Sequence, residues 1–328
     1  MSAYVPHELA AVWATTLILA ATLVIGLAIT RLRPLWAARV AAWLQVVAAV
    51  LGVERLNAGE PAGFRMLAVI GALLYAMKAV VVVEARALGG ELLPARRWFG
   101  FAALWPGMRP SPFAHPGAEP CPGAWSLVAG GMVRLGVGAV MIALARLAWC
   151  QTHSRGLATA LLLPGLSLIF HFGVFNLLAG AWRLAGVDCR PLFRAPLRAT
   201  SLREFWGRRW NLAFSEMTAL AVHQPLARHT GGRPAVAAAF VASGLLHELA
   251  ISVPVKAGYG LPFGYFLLHG GLTLAEGWLA RRGWAVDRVP WIGRVWTLGW
   301  LVLPLPLLFH PPFLAGVVWP LIGIGVNG

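Results

Sequence analysis

Residues 9–30 read LAAVWATTLILAATLVIGLAIT, 22 positions without a charge. A transmembrane helix needs about 20 mostly apolar residues, so this run is long enough to cross a bilayer. It exceeds a signal-peptide core, and residues 1–8 before it lack a basic leader, so it is expected to be a retained span. Comparable runs recur at 35–53, 66–83, 125–148, 157–181, 234–255, 260–280 and 292–309. The pattern predicts an all-α, polytopic membrane protein with eight spans, forming a single membrane domain over 1–328. A last apolar stretch, 313–326, contains Pro320 and a glycine-rich end from Gly323, and reads as either a re-entrant piece or a ninth crossing. Residues 98–105 are too few to span and are expected at the interface.

Composition agrees. The 328 residues are 59% hydrophobic and 12% charged, with a mean hydropathy of +0.72, against about 25% charged residues in a soluble protein. A soluble fold of this size could not bury 16 Trp and 15 Phe together with the aliphatic residues. The formal charge of +15 comes almost wholly from arginine, the only lysines being Lys78 and Lys256. A basic excess raises the question of nucleic acid. Here the arginines lie between apolar spans and no nucleic-acid motif accompanies them, so they read as a topology signal. Arg31, Arg33, Arg86, Arg96, Arg97, Arg109, the run 183–233, Arg281, Arg282 and Arg288 fall on one side. Only Arg55, Arg65, Arg155 and Lys256 fall on the other. The positive-inside rule then puts the N-terminus outside. Cys121, Cys150 and Cys189 are too scattered for a disulfide framework or a thiolate metal site, and no metal site is expected. The Pro-rich stretch 106–122 is the one linker-like region.

Two constellations carry chemistry. The loop 183–233 has nine arginines and contains Ser201-Leu-Arg-Glu-Phe-Trp-Gly-Arg-Arg-Trp-Asn211. Ser201 followed by Glu204 fits a capping box, which predicts a short helix along the membrane surface with its aromatics at headgroup depth, as in many juxtamembrane anchors. The second is Val241-Ala-Ser-Gly-Leu-Leu-His247-Glu248. It places His247 deep in the sixth span, where ionisable groups are costly and mark function. Ser243 lies one turn earlier on the same face, and Gly244 would admit a neighbouring helix. Glu248 points about 100° away. A zinc protease is excluded because Ile251 stands where HExxH needs histidine. Ser243 is not in a GxSxG elbow, and Gly136 and Gly138 lie inside a span.

Phe205-Trp-Gly-Arg-Arg-Trp-Asn211 and, 36 residues on, His247 in its Ser-Gly-Leu-Leu-His-Glu setting resemble the wax synthase branch of the membrane-bound O-acyltransferase superfamily. The resemblance runs from about Pro191 to Pro312, roughly two-fifths of the chain. Spans 9–148 resemble the family only in being apolar, leaving a family-like core over about 157–312. The resemblance implies acyl transfer from a thioester, usually acyl-CoA, to a hydroxyl within a helical fold that holds a tunnel. It also implies catalysis by His247 assisted by Asn211, with no cofactor beyond acyl-CoA as co-substrate. Chemistry is consistent with these roles. Histidine is the side chain best suited to take a hydroxyl proton near neutral pH, and an Asn amide can donate to an oxyanion. Arg208 and Arg209 are suited to the phosphates of CoA, and Trp206, Trp210, Ser243 and Glu248 complete the expected substrate surroundings.

The competing reading is a transporter or lipid exporter in which His171, His247 and His269, with Glu248 and Glu276, relay protons. It predicts structural repeats, and the sequence has none. Expected partners are therefore acyl-CoA, an apolar alcohol and the bilayer, with no nucleic acid. Arginine- and alanine-rich usage points to a bacterial inner membrane.

Overall fold

The computed structural model describes residues 2–325, and all the regular structure in them is helical. In chain order the elements are α1 (Leu9–Ile29), α2 (Leu35–Leu56), α3 (Ala62–Ala87), α4 (Ala95–Leu104), α5 (Ala124–Thr152), α6 (Arg155–Leu184), α7 (Leu212–Thr218), α8 (Gly232–Val255), α9 (Leu261–Arg281), α10 (Pro290–Leu308) and α11 (Pro311–Ile322). Seven of them, α1–α3, α5, α6, α8 and α10, are long and apolar enough to cross a membrane. The eighth expected stretch, 260–280, is helical but is not among them by that measure. The span expected at 260–280 is present as α9, a helix of 21 residues, but Pro262, His269, Glu276 and four glycines dilute its apolar character below that of a lipid-facing span. It packs lengthwise on α8. Of the two readings for 313–326, the short one fits: α11 is too short to cross, and Val326 lies outside the described residues.

Helices α1, α2 and α3 form one bundle, with α3 the most enclosed. Polar groups that would be costly in lipid are paired inside it: Asn57 Nδ2 donates to Thr15 Oγ1 (2.9 Å), and Arg39 holds Glu84 through two bonds of 2.7 Å. Arg65 fastens the bundle to α8 through the Pro254 carbonyl (2.7 Å). The segment 98–105, too short to span, packs on α1. Trp98 is fully buried and its indole donates to the Leu23 carbonyl (3.1 Å), because Gly26 on α1 leaves the ring its place.

Helices α5 and α6 make a second unit. Ala124, Gly131, Gly138 and Ala145 are the buried positions of α5, and they recur every seven residues. That is the period of a left-handed helix pair, with small residues letting the backbones approach. A methyl at Gly138 would come within 2.8 Å of the Gly165 carbonyl. Arg134 and Arg146, both exposed, flank this seam on its two sides. Helix α6 contains Pro164 and widens into a π-helical stretch, Leu168–Val174, as helices do where a proline removes a ladder donor.

Candidate active site

The arginine-rich loop folds inward. Ser201 Oγ accepts from Glu204 N (3.1 Å), the serine half of a capping box, while Glu204 Oε2 turns back to Thr200 N (2.8 Å). Only Leu202–Glu204 is α-helical before a π-helical turn, Phe205–Arg209. The turn is stitched to the preceding strand of chain, Arg194 N donating to Arg209 O and Leu212 N to Leu192 O, both at 2.8 Å. Its aromatics lie among other side chains, not at a surface. Phe205 is buried, and Trp210 stacks on it (5.4 Å between ring centres) and meets Phe193 edge-on at 4.8 Å. His171, on the π-helical stretch of α6, stacks on the same Phe193 at 4.4 Å.

Helix α9 holds this turn from behind. The Glu276 carboxylate accepts from Leu202 N (2.8 Å), Arg203 N (3.0 Å) and Trp296 Nε1 (3.0 Å). Two turns earlier on the same face, His269 Nδ1 accepts from Trp206 Nε1 (3.1 Å). An indole nitrogen only donates, so Nδ1 of His269 bears the lone pair and, in the neutral ring, Nε2 bears the proton. Ser215 Oγ donates to the Trp206 carbonyl (2.6 Å), tying the turn to α7. Neither Glu276 nor Ser215 was assigned a place here from sequence. The signal for α9 was there, since His269 and Glu276 are seven residues apart and therefore share a face.

Asn211 ends the turn at φ +42°, a left-handed conformation that Asn tolerates better than most residues. It caps α7, with Oδ1 accepting from Phe214 N (3.3 Å). Capping spends the oxygen and leaves the amide group as a donor. Phe214 in turn lays its ring on His247 (5.2 Å), which is covered on another side by Phe266 (4.1 Å). Asn211 and His247 are thus brought to the same region, with Phe214 between them in the chain of contacts.

His247 Nδ1 is 2.7 Å from the Ser243 carbonyl. A carbonyl only accepts, so Nδ1 carries the proton and Nε2 of the neutral ring carries the lone pair. This tautomer is the opposite of His269. Ser243 contributes its backbone to this contact. Gly244 faces α9 so closely that a methyl there would come within 2.7 Å of the Phe263 ring, which is the close approach expected from sequence. Glu248 Oε1 and Oε2 accept from Gly260 N (2.8 Å) and Phe263 N (3.1 Å). It caps α9, where the helix dipole favours an anion.

The two arginines divide. Arg209 Nε donates to Glu204 Oε1 (2.7 Å), and its NH1 donates to the carbonyls of Arg194 and Ala195, so it is spent on holding the turn. Arg208 is exposed and has no bonded partner among the described residues. Burial pushes the Glu204 carboxyl up, but hydrogen bonds from Thr200 and Arg209 outweigh this and hold it below its ordinary value.

Residues 189–268 match the family model for membrane bound O-acyl transferases. The matched O-acyl transferase segment takes in the whole Phe205–Asn211 turn and His247, and stops one residue short of His269. The chain is 34% identical over 151 residues to "Probable long-chain-alcohol O-fatty-acyltransferase 3" of Arabidopsis thaliana, a stretch that is 40% of this chain and 42% of that protein. It is 38% identical over 102 residues to "Long-chain-alcohol O-fatty-acyltransferase" of Simmondsia chinensis, covering 28% of each. With the seventh probable member from Arabidopsis thaliana, identity is 36% over 142 residues, 37% of this chain and 41% of the relative. The chain thus spans at most about two-fifths of the length of these O-acyl transferase relatives.

Proposed function

We propose that the protein is a membrane-bound O-acyltransferase of the wax synthase type, which moves an acyl group from acyl-CoA to the hydroxyl of an apolar, long-chain alcohol. The observation that supports it most is the match over 189–268, in which Asn211 and His247 fall together. His247 acts as general base and Asn211 as oxyanion donor. Nε2 of His247 takes the proton of the alcohol as its oxygen attacks the thioester carbon. The carbonyl oxygen becomes an oxyanion, which the Asn211 amide stabilises. Collapse reforms the carbonyl, expels the CoA thiolate and returns the proton from His247 to sulfur. The Ser243 carbonyl keeps the ring in the tautomer this sequence needs.

Trp210 forms a wall, Trp206 adds a wall while its indole holds His269, Arg208 meets the donor's phosphates, and Ser243 and Glu248 act through the backbone they orient. The loop 183–233 faces the cytoplasm of a bacterial inner membrane. The relay alternative is disfavoured because both its carboxylates, Glu248 and Glu276, are occupied by backbone N–H donors.

The test is product analysis by mass spectrometry after expression in a host without esters of its own, using labelled acyl-CoA and a panel of long-chain alcohols. General base catalysis is worth about 10²–10⁴-fold, so His247→Ala is expected to lose at least about a hundredfold of the ester yield per protein. Equal yields from His247→Ala and wild type would remove His247 from the mechanism.

A further inference from the structure

Outside the motif, two loops that flank different spans face α7 across a cavity of about 250 Å³. Arg109 stands on one loop and Arg190 on the other, with Leu212 and Glu216 of α7 as the far wall. Arg109 NH2 is 3.2 Å from Glu216 Oε1. Behind the cavity Lys78 is fully buried, its ammonium donating to the carbonyls of Trp105 and Gly107 at 2.6 Å and lying 4.0 Å over Phe101. Arg194 does not line the cavity, but its charge is felt there: burial, Arg190 and Arg109 press its guanidinium pKa down while Glu216 acts against them. Burial pushes the Glu216 carboxyl up, and Arg109, Arg194, Arg190 and Lys78 act against it. The other carboxylate at the cavity, Asp188, is paired with Arg183.

Such an excess of positive charge in a partly enclosed space stands at a cost unless an anion shares it. The single contact of Arg109 with Glu216 leaves most of its five donors open, and Arg190 has no ion pair among the described residues. About 250 Å³ is room enough for one or two phosphate groups. Leu212 and Glu216 belong to the helix that Asn211 caps, so an anion here would lie against the same helix.

We propose that this cavity is a phosphate-binding subsite, built by Arg109 and Arg190, that takes a phosphate monoester or diphosphate. Resting on the transferase reading above, its bearer is the acyl donor, whose phosphates anchor here while the thioester reaches Asn211 and His247.

The experiment measures equilibrium binding to the detergent-purified full chain, without turnover. The probes are free CoA, inorganic diphosphate, and lipid micelles doped with phosphatidylglycerol or phosphatidylcholine. Loss of one charge-assisted guanidinium–phosphate contact is worth about tenfold in affinity. Arg190→Ala, an exposed position, and Arg109→Gln are each expected to weaken CoA binding by about that factor, and diphosphate is expected to compete with CoA on wild type. If phosphatidylglycerol binds in the same arginine-dependent way and CoA does not, the proposal is overturned in favour of a phosphodiester headgroup site. Unchanged affinity for CoA, diphosphate and phosphatidylglycerol in both variants, with unchanged melting, overturns it. Ester formation in the presence of that unchanged affinity would sink the subsite alone, whereas arginine-dependent CoA binding without any ester would sink the transferase reading alone.

Discussion

His247 differs from the other buried histidines in what its Nδ1 meets. A carbonyl at Nδ1 leaves Nε2 as a base, and an indole N–H at Nδ1, as in His269, leaves Nε2 as a donor. Replacing Trp206 with Phe removes the indole N–H and leaves His269 Nδ1 buried without a partner. The expected result is a loss of about 1–3 kcal/mol, seen as a lower melting temperature in detergent. A drop in ester formation without any loss of stability would contradict this account of Trp206. Glu204 gives the pH arm. Its pKa is held below the ordinary 4.5, so its contribution is fully present above that value and is lost as pH falls below it. Melting temperature should therefore decline in acid more steeply for wild type than for Glu204→Gln. Parallel profiles would show that Glu204 does not couple to folding.

At the level of elements, α9 is the part the site depends on. Length and apolarity made the lipid-facing spans legible, and the order of motif and histidine made Asn211 and His247 legible. The bonds of Glu276 to Leu202 and Arg203 were not, because they join residues more than 70 positions apart and depend on how helices pack. The same polar residues that lower the hydropathy of α9 are the ones that clamp the turn. Sequence also offered Arg208 and Arg209 as a pair, whereas a neighbour five residues away, Glu204, claims one of them. Glu276→Gln replaces one acceptor oxygen with an NH₂ group facing a backbone N–H, so the turn should loosen. The expected outcome is a fall in ester formation of about tenfold with His247 intact, accompanied by faster proteolysis between Arg203 and Arg209. An unaltered digestion pattern would mean that Glu276 does not hold the turn.

For the whole molecule, the site lies where the family-matched segment leans on helices outside it. Residues 189–268 supply Asn211 and His247, yet Phe193 of that segment stacks on His171 from α6, and Glu276 and Trp296 come from beyond its end. The α5–α6 pair should therefore matter to activity despite contributing no reacting group. Gly138→Leu would force α5 away from the Gly165 carbonyl and is expected to lower both melting temperature and ester yield. A variant that melts early but keeps full activity at low temperature would show the two units to be independent.

The 29 residues of α5 make a rod of about 44 Å at ~1.5 Å per residue, while the hydrocarbon layer is ~30 Å thick. Tilting alone would have to reach about 47°, beyond the usual ~0–40°, so the ends of the rod stand out in the headgroups. Arg134 and Arg146, about 18 Å apart along it, then act as depth stops. Their long stems let each charge climb toward water, one toward either leaflet.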